Sequence, residues 1–357
     1  MEGIWRRYNV GNYMEDVLSQ PDEIGQCLEY YEKSGLLEKI NQLYGMPFEK
    51  LIFSGMGSSH FCAVGAGIFL KQHGIDNQVI STGELLYYEK EILNKKTLLI
   101  LISQSGESAE IVNLLEQLSE EVTIIAITNE TESTLASKGE LVLPLHVGEE
   151  EAVTTRTYMA SICVSMLLAS AIAEGNAFGM VQRIKRCLFL MEKTLSEQYK
   201  WNEIMQKFLK DCPVMSIMGR GYSLGSVQAG ALFFREIVKF PAMAFDEAEF
   251  KHGPLEMVEP GFHAVIFAPA GPGSVMNIKM AENIVSKGGM AVLITDEDCR
   301  VEANERLFLI RLEKTEEYLV PLIQILPIQL MADYLAKQKG IPAGTFRWGS
   351  KVMDSEI

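Results

Sequence analysis

The residues that could do chemistry crowd together in Ser103-Gln104-Ser105-Gly106-Glu107-Ser108. Three serines and a glutamine within six positions supply more hydroxyl and amide donors than a turn needs. Leu98 to Ile102, five consecutive apolar residues, precede them. Ile111, Val112, Leu114, Leu115 and Leu118 follow at helical spacing. A strand covered on both faces therefore runs through a hydroxyl-rich loop into the first turn of a helix. Such a junction aims unpaired backbone N–H groups at one point, with the positive end of the helix dipole behind them. The chemistry that suits it is the holding of a phosphate. The competing reading is a plain strand-to-helix turn that binds nothing, as most such turns in parallel α/β proteins do.

The bulk composition narrows what that loop can serve. The chain has 357 residues, 48% apolar and 22% charged, enough for two domains with ample core. A net charge of −15 argues against nucleic acid or an anionic membrane as partner. It would also repel a phosphorylated ligand, so binding needs local positive potential from helix N-termini and a few placed cations. The six cysteines (Cys27, Cys62, Cys163, Cys187, Cys212 and Cys299) are scattered, with no CxxC pair and no neighbouring histidine. Reduced thiols in a cytoplasmic protein are expected, and no metal site. Met1 to Arg7 contains no apolar secretion segment, and Tyr158 to Ala173, the most apolar stretch, is too short and too serine-rich for a span. It reads as a buried helix.

The elements that must position the loop repeat along the chain. Residues 1–45 read as a helical segment, with Ile24, Cys27, Leu28 and Tyr31 on one face. A strand ending in a glycine-containing loop is expected within Lys50–Ser59, with strands at Leu98–Ile102, Val122–Thr128 and Leu141–Leu145; the pattern repeats within Pro213–Ser223 and at Ala264–Ala268, Ala291–Thr295 and Leu307–Leu312. The offsets agree: 219 minus 55 is 164, 264 minus 98 is 166, and 295 minus 128 is 167. The expected fold is α/β, two tandem doubly wound parallel sheets of flavodoxin-like type, related by duplication. The expected division is a helical segment at 1–45, subdomain 1 at 46–205, subdomain 2 at 206–345, and a tail at 346–357. The second copy of the serine loop, Pro269-Ala270-Gly271-Pro272-Gly273-Ser274, has lost most of its donors.

Four segments in order carry a resemblance: Ser-Gly-Met-Gly-Ser-Ser-His (54–60), the serine loop (103–108), Ala-Val-Thr-Thr-Arg-Thr-Tyr (152–158) and Lys-His-Gly-Pro-Leu (251–255). The chain resembles the double sugar-isomerase (SIS) domain family over residues 20 to 357, most closely the isomerase half of the glucosamine-6-phosphate synthases. No glutaminase segment precedes the matching part, so glutamine-dependent synthesis is not expected. The resemblance implies that Ser59, Ser103, Gln104, Ser105 and Ser108 hold a sugar 6-phosphate, with Ser58 and Thr154 as further substrate contacts. It implies that Glu236 moves a proton between C1 and C2, and that His252 assists ring opening from the neighbouring subunit of a homodimer. Lys351 would match the lysine of a closing C-terminal tail. Proton transfer next to a carbonyl needs a base and donors for the enediolate oxygen, so no metal or cofactor is expected. Arg156 reads first as a structural ion pair and second as a phosphate partner.

Two departures limit what the resemblance implies. Phe233 stands where the synthases have a lysine, and Pro241-Ala242-Met243 stands for their His-Ala-Glu. The expectation is therefore a phosphosugar isomerase or deaminase acting on an amino-sugar 6-phosphate. The alternative is a deglycase for a fructosamine 6-phosphate, and a third reading is a sugar-phosphate sensor without catalysis.

Overall fold

In the computed structural model, residues 13–150, 153–296, 300–348 and 350 are described. They divide into two compact units. One, the serine-loop unit, comprises 19–150, 154–188 and the described residues after 345. The other, the Glu236 unit, comprises 13–18, 153 and 189–345.

The serine-loop unit follows the first half of the chain. Helices α1 (Tyr13–Ser34, whose first residues belong to the other unit) and α2 (Leu36–Asn41) lead into β1 (Lys50–Gly55). Then come α3 (Ser58–Phe61), α4 (Val64–Gln72), β2 (Gln78–Ser81) and the turn α5 (Thr82–Glu84), which runs into a π-helical turn at Leu85–Glu89. β3 (Thr97–Ile102), α6 (Ala109–Gln117), β4 (Thr123–Thr128), α7 (Thr134–Lys138), β5 (Leu141–Pro144) and α8 (Arg156–Glu174) follow. The five strands form one sheet in the order β2-β1-β3-β4-β5, every pair parallel. Parallel crossovers cover both faces with helices, and so all six residues of β3 are buried. Ile52, Leu99, Leu101, Ile111, Leu114 and Ile124 share one apolar cluster. Leu101→Ala would cost about 2–5 kcal/mol of stability.

Helix α9 (Ala177–Ser196) and α10 (Asn202–Phe208) lead to the second sheet. Its elements are β6 (Met215–Gly219), α11 (Leu224–Ile237), β7 (Ala242–Asp246), α12 (Glu247–Phe250), β8 (His263–Ala268), α13 (Ser274–Ser286), β9 (Met290–Asp296), β10 (Leu307–Leu312) and α14 (Pro321–Gln338). The order β10-β9-β8-β6-β7, again all parallel, is that of the first sheet with each strand replaced by its counterpart. The expected α/β fold of two parallel doubly wound sheets is the fold observed.

Each sheet has one strand more than the sequence suggested. β2 and β7 are edge strands of four and five residues, neither of them apolar throughout, and β7 is alanine-rich. Both lack the periodic or continuous apolar signal on which strand assignment rests. They obey the duplication all the same, since 242 minus 78 is 164. Two helical windows, Arg156–Glu174 and Glu317–Gln338, are long and apolar enough to cross a membrane, yet 89% and 94% of each is buried inside the protein.

Candidate phosphate site and the Glu236 helix

In an open parallel sheet, ligands settle at the carboxyl ends of the strands where the strand order reverses. In the serine-loop unit that point lies between β1 and β3, whose last residues Gly55 and Ile102 are paired in register. Ser58 and Ser59 open α3, directly after the short turn that follows β1, and the loop after β3 is 103–108. Gly55 joins the two. A Cβ at that position would lie 2.8 Å from the Ile102 carbonyl oxygen and 2.8 Å from the backbone of Ser59. Only glycine lets these backbones close on each other.

The serine loop is braced from below. Ser103 N–H donates to Ile127 O (3.0 Å), Asn129 N–H to Gln104 O (3.0 Å), and Leu135 N–H to Gly106 O (3.1 Å). Gly106 turns through φ 66°, and a side chain there would overlap Ser133. Glu107 points away from the loop centre, with Oε1 accepting from Thr134 N–H (2.6 Å) and Oε2 from the Thr134 hydroxyl (2.9 Å).

The Ser103 and Ser108 hydroxyls lie 3.5 Å apart, where either can donate to the other. Ser103 Oγ accepts from Gly106 N–H (3.1 Å), and Ser105 Oγ accepts from Glu107 N–H (3.2 Å). A hydroxyl that accepts from the backbone still has its one proton to donate. Ser108 is the N-cap of α6, and its side chain makes no capping bond, which leaves the first N–H groups of a nine-residue helix open. Ser103 and Ser105 are buried, whereas Gln104, Ser108, Ser58 and Ser59 are partly exposed. Hydroxyl groups and an open helix N-terminus thus fall within one short segment, a composition that suits an anion.

Thr154 stands one residue before the N-cap of α8, hydrogen-bonded to Thr157 (Oγ1 to Oγ1, 2.7 Å). Behind it lies a residue that sequence reading missed. Glu150 is 4% exposed, and its carboxylate accepts from the backbone N–H groups of Thr155 (2.8 Å) and Thr157 (3.0 Å). Within Glu149-Glu150-Glu151 it has the look of a solvated charge run, and nothing in its spacing distinguishes it. Arg156 pairs with Glu23 (3.6 Å), the structural role ranked first from sequence.

In the other unit, Glu236 is the penultimate residue of α11, beside fully buried Phe233, Phe234 and Ile237. Burial pushes its carboxyl up to about 6, against the opposing pull of Arg235 and Lys239. Lys239 donates instead to the carbonyl oxygens of Glu236 (2.7 Å) and Thr345. Among the described residues no hydrogen bond is made to the Glu236 carboxylate. A partly desolvated carboxylate of this kind is suited to proton transfer near neutral pH.

The structure does not bring His252 to Glu236 within one chain. Helix α11 leaves the carboxyl end of β6 and ends near the start of β7, where Met215 pairs with Ala242. His252 follows β7, toward the opposite end of the sheet, about 16 Å away along five strand residues. It is exposed, with its N–H donating to Glu249 O (2.9 Å). Its neighbours are fixed by Glu247, whose fully buried side chain pairs with Arg220 (2.5 Å) and Lys251 (2.7 Å). Phe233 is 0% exposed, so it lines no open pocket, and of the Pro241–Met243 segment only Pro241 and Met243 reach the surface. Lys351 lies outside the described residues, as does Cys299.

A doubly wound parallel unit with donor-rich loops at its switch point defines a class of α/β proteins suited to phosphorylated ligands. The comparisons make that class specific. The SIS domain matches residues 48–171 and again 208–336, and the chain belongs to that family. Among curated relatives, the glutamine–fructose-6-phosphate aminotransferase (isomerizing) of Pyrococcus horikoshii is 31% identical over 333 residues, covering 92% of this chain and 55% of that protein. Its counterpart from Methanothermobacter thermautotrophicus is 28% identical over 334 residues, with the same coverage. The chain thus spans about half the length of these relatives. Among solved structures, the C-terminal domain of glucosamine-fructose-6-phosphate aminotransferase from Francisella tularensis superposes with a TM-score of 0.82 at 20% identity, covering 92% of this chain and 96% of that one. A glucosamine-6-phosphate deaminase from Thermotoga maritima does so at 0.74 and 20%, covering 95% and 98%.

Proposed function

We propose that the protein is a phosphosugar isomerase or deaminase acting on an amino-sugar 6-phosphate. The serine loop with Ser58 and Ser59 holds the phosphate, and Thr154 contacts the sugar. Glu236 carries the proton between C1 and C2. His252 assists ring opening in the site of a second copy, and Lys351 closes over the open-chain sugar. The observation that carries the reading is the serine loop at the β1/β3 switch point, where Ser103 and Ser105 accept from the backbone, Ser103 shares a hydroxyl contact with Ser108, and the Ser105 proton has no acceptor among the described residues. Membership of the SIS family supports a sugar phosphate as that anion.

The step proposed for Glu236 needs no bound group beyond the side chains. Its carboxylate takes the proton from the carbon next to the carbonyl of the open-chain sugar. Electrons move onto the carbonyl oxygen as an enediolate forms, the protonated carboxyl returns its proton to the former carbonyl carbon, and the neighbouring hydroxyl passes its proton to that oxygen as the new carbonyl appears. The carboxyl at about 6 is mostly ionised at pH 7 and a stronger base than an ordinary glutamate. A homodimer in the cytoplasm is part of the proposal. The position of His252 at the far end of its own sheet supports its use by a partner.

The test is turnover of glucosamine 6-phosphate, fructose 6-phosphate and fructoselysine 6-phosphate, followed as ketose 6-phosphate, aldose 6-phosphate and released amine. Turnover of either of the first two is expected. Release of lysine from the third alone would replace the reading by a deglycase, and binding without turnover on all three by a sensor.

A further inference from the structure

The turn before α8 contains a hydrogen-bond chain with a fixed direction. Oε1 of Glu150 accepts from Thr155 N–H (2.8 Å), Thr157 N–H (3.0 Å) and the Thr155 hydroxyl (3.0 Å). Oε2 accepts from the Thr157 hydroxyl (2.7 Å). All three residues are buried, at 4%, 0% and 2% exposure for Glu150, Thr155 and Thr157. An ionised carboxylate has acceptors only, and a threonine has a single hydroxyl proton. The Thr157 proton is therefore committed to Glu150. Thr154 Oγ1 lies 2.7 Å from Thr157 Oγ1, and the geometry of that contact alone allows either to donate. Thr157 has no second proton, so Thr154 donates. Partly exposed Thr154 then faces outward with lone pairs and no proton.

We infer that Glu150 is a positioning residue that makes the Thr154 hydroxyl an obligate acceptor, so that Thr154 reads a hydroxyl or ammonium of the sugar and not a phosphate oxygen. The inference rests on the proposed contact between Thr154 and substrate. Its consequence is a ligand with defined polarity. The serine loop offers protons and takes the phosphate; Thr154 offers lone pairs and takes the donor-bearing part of the sugar. Glu150 also answers the positive end of the 19-residue helix α8, which removes that terminus as a rival anion site.

The relay can be reversed without changing its shape. In Glu150→Gln, Oε1 keeps the two backbone N–H bonds while the amide N–H₂ replaces Oε2 and donates to Thr157. The Thr157 proton then turns to Thr154, and the Thr154 proton turns outward. Calorimetric binding of fructose 6-phosphate and of inorganic phosphate is compared for the native protein, Thr154→Val, Glu150→Gln and Thr157→Val. Expected results are a loss of about tenfold in fructose 6-phosphate affinity for Glu150→Gln, about fivefold for Thr154→Val and about threefold for Thr157→Val. Phosphate affinity is expected to change by less than about twofold throughout, because phosphate meets only the serine loop. Unchanged fructose 6-phosphate binding in Thr154→Val would remove the underlying contact. Weakening in Thr154→Val with none in Glu150→Gln would leave the contact and overturn the relay. Equal weakening of both ligands in Glu150→Gln would reduce Glu150 to a support of the fold. Should Glu150→Gln not fold, Thr157→Val decides alone, and native fructose 6-phosphate affinity in it contradicts the relay.

Discussion

The loops after β3 and after β8 occupy equivalent switch points in two copies of one design, and they have opposite character. At 103–108, Ser103 and Ser105 accept from the backbone, and the N-terminus of α6 stands uncapped by a side chain. At 269–274 the chain supplies its own anions. Asp296 accepts from Ala270 N–H (2.5 Å), and a Cβ on Gly271 would lie 2.5 Å from the carboxylate of Glu317. The Arg220 side chain lies across Gly273 and pairs with Glu247. The small space nearby, about 10 Å³ among Thr295, Asp296, Glu313 and Gln324, has room for one water at most. In the proposed reading only the first of the two equivalent loops takes an anion, because the second is lined with carboxylates. The unit that lost its anion loop is the one that carries Glu236.

That division of labour can be broken in graded ways. The largest expected effect is on turnover in Glu236→Gln, a drop of about 10²–10⁴-fold with sugar-phosphate affinity unchanged, read from steady-state rates beside calorimetry. A comparable loss of affinity would mean that Glu236 belongs to the binding half. Next comes the double substitution Ser103→Ala with Ser105→Ala. Sugar 6-phosphate binding should weaken about 10–100-fold as two donors vanish, whereas Ser274→Ala in the counterpart loop should leave it as it was.

Smaller still are the two glycine substitutions. Gly106→Ala and Gly271→Ala should each cost about 1–3 kcal/mol in chemical denaturation, the first by strain at φ 66° and overlap with Ser133, the second by displacing Glu317. Only Gly106→Ala should also lose phosphate binding. If Gly271→Ala loses it too, the second loop is not closed.

The smallest is a pH effect. Burial raises the Glu236 carboxyl to about 6, so the folded state favours its neutral form. The stabilisation from that preference is present in full below the ordinary carboxylate range and is lost as pH rises through about 6. In the proposed reading activity should run the other way, rising through about 6 as Glu236 ionises. In Glu236→Gln the difference in melting temperature between pH 5 and pH 7 should shrink, and the rise in any residual activity should disappear.

How far the chain could be read from its residues depended on which signals were continuous. β3, β4, β8 and β9 each hold a continuous apolar run because helices cover both faces, and their offsets exposed the duplication. β2 and β7, short and half open to solvent, have no such imprint. The serine loop stood out in the sequence because four donor side chains fall within six positions. Glu150 was not, since a buried carboxylate and an exposed one are spelled alike, and its partners lie five and seven residues away across a turn. Phe233 illustrates the converse: a change in a motif invited a functional reading, yet its side chain is wholly buried.

The measurement that bears most directly on the whole account is proton exchange in D₂O. Native protein and Glu236→Gln are incubated with fructose 6-phosphate and glucosamine 6-phosphate, deuterium at C1 and C2 is followed by NMR, and binding is measured in parallel. The account predicts deuterium incorporation by the native protein, little or none by Glu236→Gln, and the same affinity in both. Incorporation at the native rate by Glu236→Gln, or none by the native protein while the sugar stays bound, would contradict it.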